Sequence, residues 1–79
     1  MKALLKPSIW KILKLFYENN NIPLHLREIA RKVKLNESTV SSHLNNLVKE
    51  RILKAETEAN LKKFYINKNK IPEIFPLFD

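Results

Sequence analysis

The stretch from Leu26 to Lys49, LREIARKVKLNESTVSSHLNNLVK, leaves the chain little freedom. Apolar residues fall at Leu26, Ile29, Ala30 and Val33, and again at Val40, Leu44, Leu47 and Val48. Both sets keep the three- and four-residue intervals of one buried helix face. Between them Asn36 stands where a helix N-cap is wanted. Thr39, three residues on, supplies a backbone N–H that the Asn36 side chain can accept. Two amphipathic helices joined by so short a polar turn must cross steeply to share a core, and that is the helix-turn-helix arrangement.

The rest of the chain has to complete that core. With 79 residues there is room for one small domain, spanning 1–79, and no cysteine to staple it. Leu4 and Leu5 are candidate packing residues, and Pro7 and Ser8 open a first helix, with Ser8 as a candidate cap. From Ile9 to Glu18 the apolar stripe is Ile9, Ile12, Leu13 and Phe16, flanked by Trp10 and Tyr17, while Leu15 falls well off it. This arc is wider than a three-helix core needs, so the C-terminal tail or a second protomer must cover the excess. Asn19-Asn20-Asn21 stops the helix, because asparagine tolerates the left-handed cap conformation. Ile22-Pro23-Leu24-His25 is too short for a helix, and Pro23 confines it to extended geometry at a sheet edge.

Beyond Lys49 the periodicity changes. Leu53, Ala55 and Thr57 alternate with Lys54 and Glu56, and Phe64 and Ile66 alternate with Lys63 and Tyr65. The spacing predicts two strands, over 52–57 and 62–67, joined through Glu58-Ala59-Asn60-Leu61, with Asn60 at positive φ. The tail, IPEIFPLFD over 71–79, holds two prolines that limit it to a short turn of helix. Its Ile71, Ile74, Phe75, Leu77 and Phe78 are too apolar to hang free, and the first helix is the simplest place for them to dock.

Taken together, helix, short strand, helix, helix and two-stranded wing resemble the winged helix-turn-helix domain of small prokaryotic repressors, of the arsenical-resistance and multiple-antibiotic-resistance types. The residues that carry the resemblance are LREIARKVKLNESTVSSHLNNLVKERIL, with its L-x-E-I-A start, its TVSSHL core and its NLVKERIL close. The likeness covers nearly the whole chain. It implies a mainly α fold with a small β-hairpin: a three-helix core, a short strand, a two-stranded wing and a short helical tail. It also implies a transcriptional regulator whose partner is double-stranded DNA. Two departures stand out. Such domains often carry glycine between the second and third helices and again before the wing, where this chain has Lys34 and Arg51 and no glycine anywhere. Those turns must either accept a left-handed conformation without glycine or be built differently. The metal-sensing branch of the family uses cysteine and clustered histidine. This chain has no cysteine and only His25 and His43, which argues against a sensor of that kind, and no cofactor is expected.

The third helix, about 37–49, would be the reader. Opposite its apolar residues lie Ser38, Thr39, Ser42, Asn45, Asn46 and Lys49, with Ser41 and His43 on the flanks, and no formal charge occurs from Ser38 to Val48. A solvated helix face usually carries Glu and Lys pairs. A face of Ser, Thr and Asn suits the major groove, where Asn bonds two atoms of adenine and Ser or Thr reaches base edges or phosphates. The exposed N–H groups near Asn36 favour a phosphate. Lys54, Lys62 and Lys63 on the wing, and Arg27, Arg31 and Lys32 on the second helix, are candidate phosphate contacts. The bland reading is a permissive polar surface and plainly solvated lysines. His43 fits a helix-packing role better than a phosphate contact, His25 a helix cap, and Tyr65 packing on the neighbouring strand.

Charge agrees with a polyanion partner: 15 Lys and Arg against 8 Asp and Glu give a net +7, with a pI of about 9.9. There is no glycine-rich phosphate loop, no cysteine nucleophile, no metal-ligand spacing and no paired carboxylates on one helix face, so an enzyme is the weakest reading. No apolar run nears the roughly 18 residues of a membrane span, and the start lacks the features of a signal peptide. A cytoplasmic, nucleoid-associated protein is expected. A homodimer through the first helix and tail would let a twofold pair read a palindrome. The rival reading is a winged helix that docks on protein, or a subunit of a larger assembly, with PEIFPLFD as its docking segment.

Overall fold

Each of the three main helices ends on a residue turned left-handed. Helix α1 (Pro7–Glu18) is followed by Asn20 and Asn21 at φ 55° and 59°, α2 (Leu26–Val33) by Lys34 at 59°, and α3 (Glu37–Lys49) by Arg51 at 64°. In the computed structural model, which describes residues 6–79, the Asn21 N–H donates back to the Phe16 carbonyl at 2.7 Å. The Leu35 N–H donates to Ala30 at 3.1 Å and the Ile52 N–H to Leu47 at 2.9 Å. These are the six-to-one bonds of Schellman caps, accompanied by the apolar contact that such caps favour: Leu35 packs on the core, and Ile52 and Leu47 are fully buried. The missing glycines are therefore not replaced by another kind of turn. Lys34 and Arg51 take the left-handed conformation themselves, at a cost of about 1–2 kcal/mol each.

The core expected of α1 is present, with Ile9, Ile12, Leu13 and Phe16 all buried. Two expectations need correction. Ser8 is not the cap; Lys6 holds the cap position without a side-chain bond, and Ser8 lies inside the helix. Leu15 is not off the buried face but 9% exposed, because the C-terminal end of α2 packs across that side and Leu15 and Val33 line one shallow depression rimmed by Lys11, Lys14 and Lys32. Leu4 and Leu5 lie outside the described residues.

The excess apolar arc of α1 is covered in cis. After a 3-10 turn at Lys68–Lys70, the tail forms a one-turn helix α4 (Ile71–Ile74) and a second 3-10 turn, Phe75–Phe78. Ile74 is buried, Phe78 meets Trp10 edge-on at 5.6 Å, and Phe75 meets Tyr17 edge-on at 5.1 Å. The Tyr17 hydroxyl donates to the Asp79 carboxylate, and that bond, with burial, holds the phenol above its ordinary pKa.

The sheet has the order β1-β3-β2 and is antiparallel throughout. Strand β1 is only Leu24–His25, after Pro23; β2 is Leu53–Glu58 and β3 Leu61–Ile66, each shifted one residue from the expected span. Leu24 pairs with Phe64 and His25 with Lys63, a register that would set Ile22 opposite Ile66 had β1 continued. It does not, and Asn21 takes over: its Oδ1 accepts from the Ile66 N–H at 2.7 Å and its Nδ2 donates to the Ile66 carbonyl at 2.9 Å. One carboxamide thus completes the edge of β3 and ties it to the end of α1. In the hairpin loop both Ala59 (φ 50°) and Asn60 (φ 67°) are at positive φ, not Asn60 alone. That is the requirement of a two-residue type I′ turn.

Candidate nucleic-acid interface

Helix α3 is positioned by its caps and by α1. The Asn36 Oδ1 accepts from the Thr39 N–H at 2.7 Å and also from the Ser38 hydroxyl at 2.9 Å. Asn36 and Ser38 are thus spent partly on capping, which leaves the Asn36 amide N–H groups as that residue's outward chemistry. At mid-helix, His43 Nε2 and the Ser8 hydroxyl are hydrogen-bonded at 2.9 Å, tying the reader to the first turn of α1. Burial first, and the charge of Lys6 second, keep the imidazole below its ordinary pKa. His43 is the helix-packing residue its flank position suggested. His25 caps α2, its Nδ1 accepting from the Glu28 N–H at 3.3 Å.

The outward face of α3 holds Ser38, Ser42, Asn45, Asn46 and Lys49, all exposed, with Thr39 half-buried beside them. Among the described residues, Ser42, Asn45, Asn46 and Lys49 make no side-chain hydrogen bond or ion pair within the chain. Thirteen residues make a rod of about 20 Å. It presents a run of neutral donors and acceptors, and cations lie at both its ends. Near its N-terminus, Arg27, Glu37, Leu61 and Lys62 line one depression, and Arg27 pairs with Glu37 at 3.9 Å. That pair matters because Glu37 in the first turn opposes an anion there, and Arg27 offsets it.

The wing lysines are divided between the two faces of the hairpin. Lys54 stands opposite Tyr65, and Glu56 opposite Lys63, so these four share one face of the hairpin. Lys62 is in phase with Phe64 on the other face, its ammonium 5.4 Å from that ring. The Tyr65 hydroxyl donates to Glu56 at 2.9 Å, which raises the phenol's pKa and places Tyr65 on the neighbouring strand as expected. With Glu56 and Glu58 on β2, the wing is only weakly basic.

Two features lie beyond what the periodicity showed. Asn67 donates through Nδ2 to the Arg51 carbonyl at 3.1 Å, locking the turn between α3 and β2. Arg51 itself is exposed and lines a groove with Lys54. The signal for both was the absent glycine before the wing. No helix among the described residues is long and apolar enough to cross a membrane.

Comparison with known proteins agrees with this geometry. The family model described as the bacterial regulatory protein, arsR family, matches residues 7–55. An uncharacterized HTH-type transcriptional regulator, MJ1325 of Methanocaldococcus jannaschii, is 36% identical over 78 residues, covering 99% of this chain and 85% of the relative. The transcriptional repressor PagR of Bacillus anthracis superposes with a TM-score of 0.81 at 28% identity, covering 99% of this chain and 86% of that one. The homodimeric winged helix-turn-helix DNA-binding domain of Mb0332 from Mycobacterium bovis gives 0.82 at 23% identity, over 98% of this chain and 68% of that one. The caps, the three-stranded winged sheet and the matched span lead to one conclusion: this chain belongs to the arsR family of bacterial regulatory proteins.

Proposed function

We propose that the protein is a non-catalytic transcriptional regulator that binds duplex DNA sequence-selectively, with residues 1–79 acting as one winged helix-turn-helix unit at the nucleoid. The observation that carries this reading is the exposed, uncharged hydrogen-bonding face of α3. Asn45 and Asn46 would read base edges, each able to bond two atoms of adenine, while Ser42 reaches a base edge or phosphate. Ser38, Thr39 and the free N–H groups of Asn36 lie at the helix start, where a phosphate would sit. Lys49, Lys54, Lys62 and Lys63 supply sequence-independent attraction to the backbone. Lys54 and Lys63 act from one face of the wing and Lys62 from the other.

A homodimer through α1 and the tail completes the reading. One copy of α3 contacts only a few base pairs, whereas a twofold pair reads half-sites about one helical turn apart. Leu77, 60% exposed on the outer side of the docked tail, marks the surface that a second copy would cover. The domain of Mb0332 is homodimeric, which supports self-association as such.

Selection of duplexes from a random library, followed by titration at several salt concentrations, tests the proposal. The expected outcome is a palindromic consensus and an affinity that falls log-linearly with salt. Absence of duplex binding, together with retained self-association or capture of protein through the tail, would favour the protein-docking reading. Sedimentation as a monomer at high protein concentration would remove the dimer.

A further inference from the structure

We propose that Arg51 is a phosphate contact, a basic side chain held at a backbone position that glycine would fill with less strain. The inference rests on the duplex-binding reading and adds a residue to it. The cap of α3 demands a left-handed residue, and Arg51 supplies it at φ 64°. Its backbone is fixed on both sides: its N–H donates to the Val48 carbonyl at 3.0 Å, and its carbonyl accepts from Asn67 Nδ2 at 3.1 Å. Apart from placing a cation at the C-terminal end of α3, as Lys34 does for α2, the strain secures nothing in the turn that glycine would not also give. What arginine adds is a cation on a backbone anchored beside the wing.

That place is the open groove, about 460 Å³, between the last turn of α3 and the start of β2. Its apolar lining is Val48, Leu53 and Ala55, and its polar lining is Lys54 and Asn67 beside Arg51. Neither Lys49, on the adjoining last turn of α3, nor Glu50 lines the groove. Among the described residues Arg51 makes no ion pair. An apolar floor suits the weakly hydrated faces of a guanidinium, and its planar fork matches two oxygens of a phosphodiester. The groove joins the reading helix to the wing, so the phosphodiester assigned to Arg51 is that of the strand running between them.

The substitution Arg51→Gly tests this because stability and binding should move in opposite directions. Relief of the left-handed strain, less the loss of a cation at the C-terminal end of α3, should raise the melting midpoint of Arg51→Gly by a few degrees. Its duplex affinity should fall about tenfold for each bound protomer, and its log–log salt slope should shrink by about 0.9 per protomer. A phosphate contact carries no sequence information, so selected and mixed-sequence duplexes should weaken alike. Arg51→Asn, which tolerates the turn without the charge, should behave as Arg51→Gly does, and Arg51→Lys should retain most of the affinity. If wild type binds duplex and Arg51→Gly binds it equally well with an unchanged salt slope, Arg51 is not a contact, while the general reading stands. If wild type binds no duplex, both fall together.

Discussion

Asn21 is the most economical place to test how the wing is held. Its carboxamide makes two hydrogen bonds to Ile66, a residue with no exposed surface, at the point where β1 gives out. Asn21→Gly preserves the left-handed backbone at φ 59° and removes both bonds. Two net hydrogen bonds are worth about 1–3 kcal/mol, and for a chain of this size about 2 kcal/mol lowers the melting midpoint by roughly 8–16 °C. Asn21→Ala should be worse by about 1 kcal/mol or more, because alanine must also enter the left-handed region. Asn21→Asp keeps an acceptor for the Ile66 N–H but turns a carboxylate oxygen toward the Ile66 carbonyl, so it should be destabilised at neutral pH and recover partly in acid. Thermal and urea unfolding, followed by Trp10 fluorescence and far-ultraviolet circular dichroism, gives these values. Amide exchange at Ile66 reports whether the edge of β3 opens first. If Asn21→Gly were as stable as wild type within about 0.5 kcal/mol, water must satisfy Ile66 equally well, and the idea that Asn21 stands in for a strand would be wrong.

Two further outcomes follow from the same geometry. Ala59→Gly should stabilise the hairpin by about 1 kcal/mol. Lys34→Gly should gain less, because it also removes a cation from the C-terminal end of α2. Urea midpoints measure both, and the effects should add, since the sites lie on different elements. His43 titrates below its ordinary 6.5 in the folded protein, so the unfolded chain takes up its proton first as pH falls. Its contribution to stability is therefore full above that value and is lost as pH drops through the lower folded one. In urea unfolding at about pH 7.5 and about pH 5.5, the loss of stability on acidification should be smaller in His43→Gln than in wild type. An equal loss would show that His43 does not titrate in this way.

The parts legible in the sequence were those governed by one dominant local force. The apolar spacing of Leu26 to Val48 and the Asn36 cap correspond to α2, α3 and the hydrogen bond to Thr39. Leu15 was misplaced because a wheel assumes one partner for each helix, whereas α1 is flanked by α2 on one side and the tail on another. The Asn21 clamp was hidden for a similar reason: the residue's local role as a helix stop is complete in itself, and its second role depends on a strand 45 positions away. The split of the wing lysines followed from alternation already visible in the sequence. Lys62 and Lys63 are neighbours in the chain and so cannot share a face of a strand. Ala59 at positive φ carries no compositional sign at all; the two-residue loop imposes it.

The neutral outer face of α3 separates two properties that are usually entangled. In a protein that binds duplex in the proposed way, capture from solution and residence on the correct site respond to different variables. Added salt weakens the cations bracketing the helix and slows encounter, but Ser42, Asn45 and Asn46 carry no charge for it to screen. The ratio of specific to nonspecific binding then stays nearly constant while both affinities fall. A cell whose internal ionic strength varies widely would keep the address of such a regulator unchanged and alter only its occupancy.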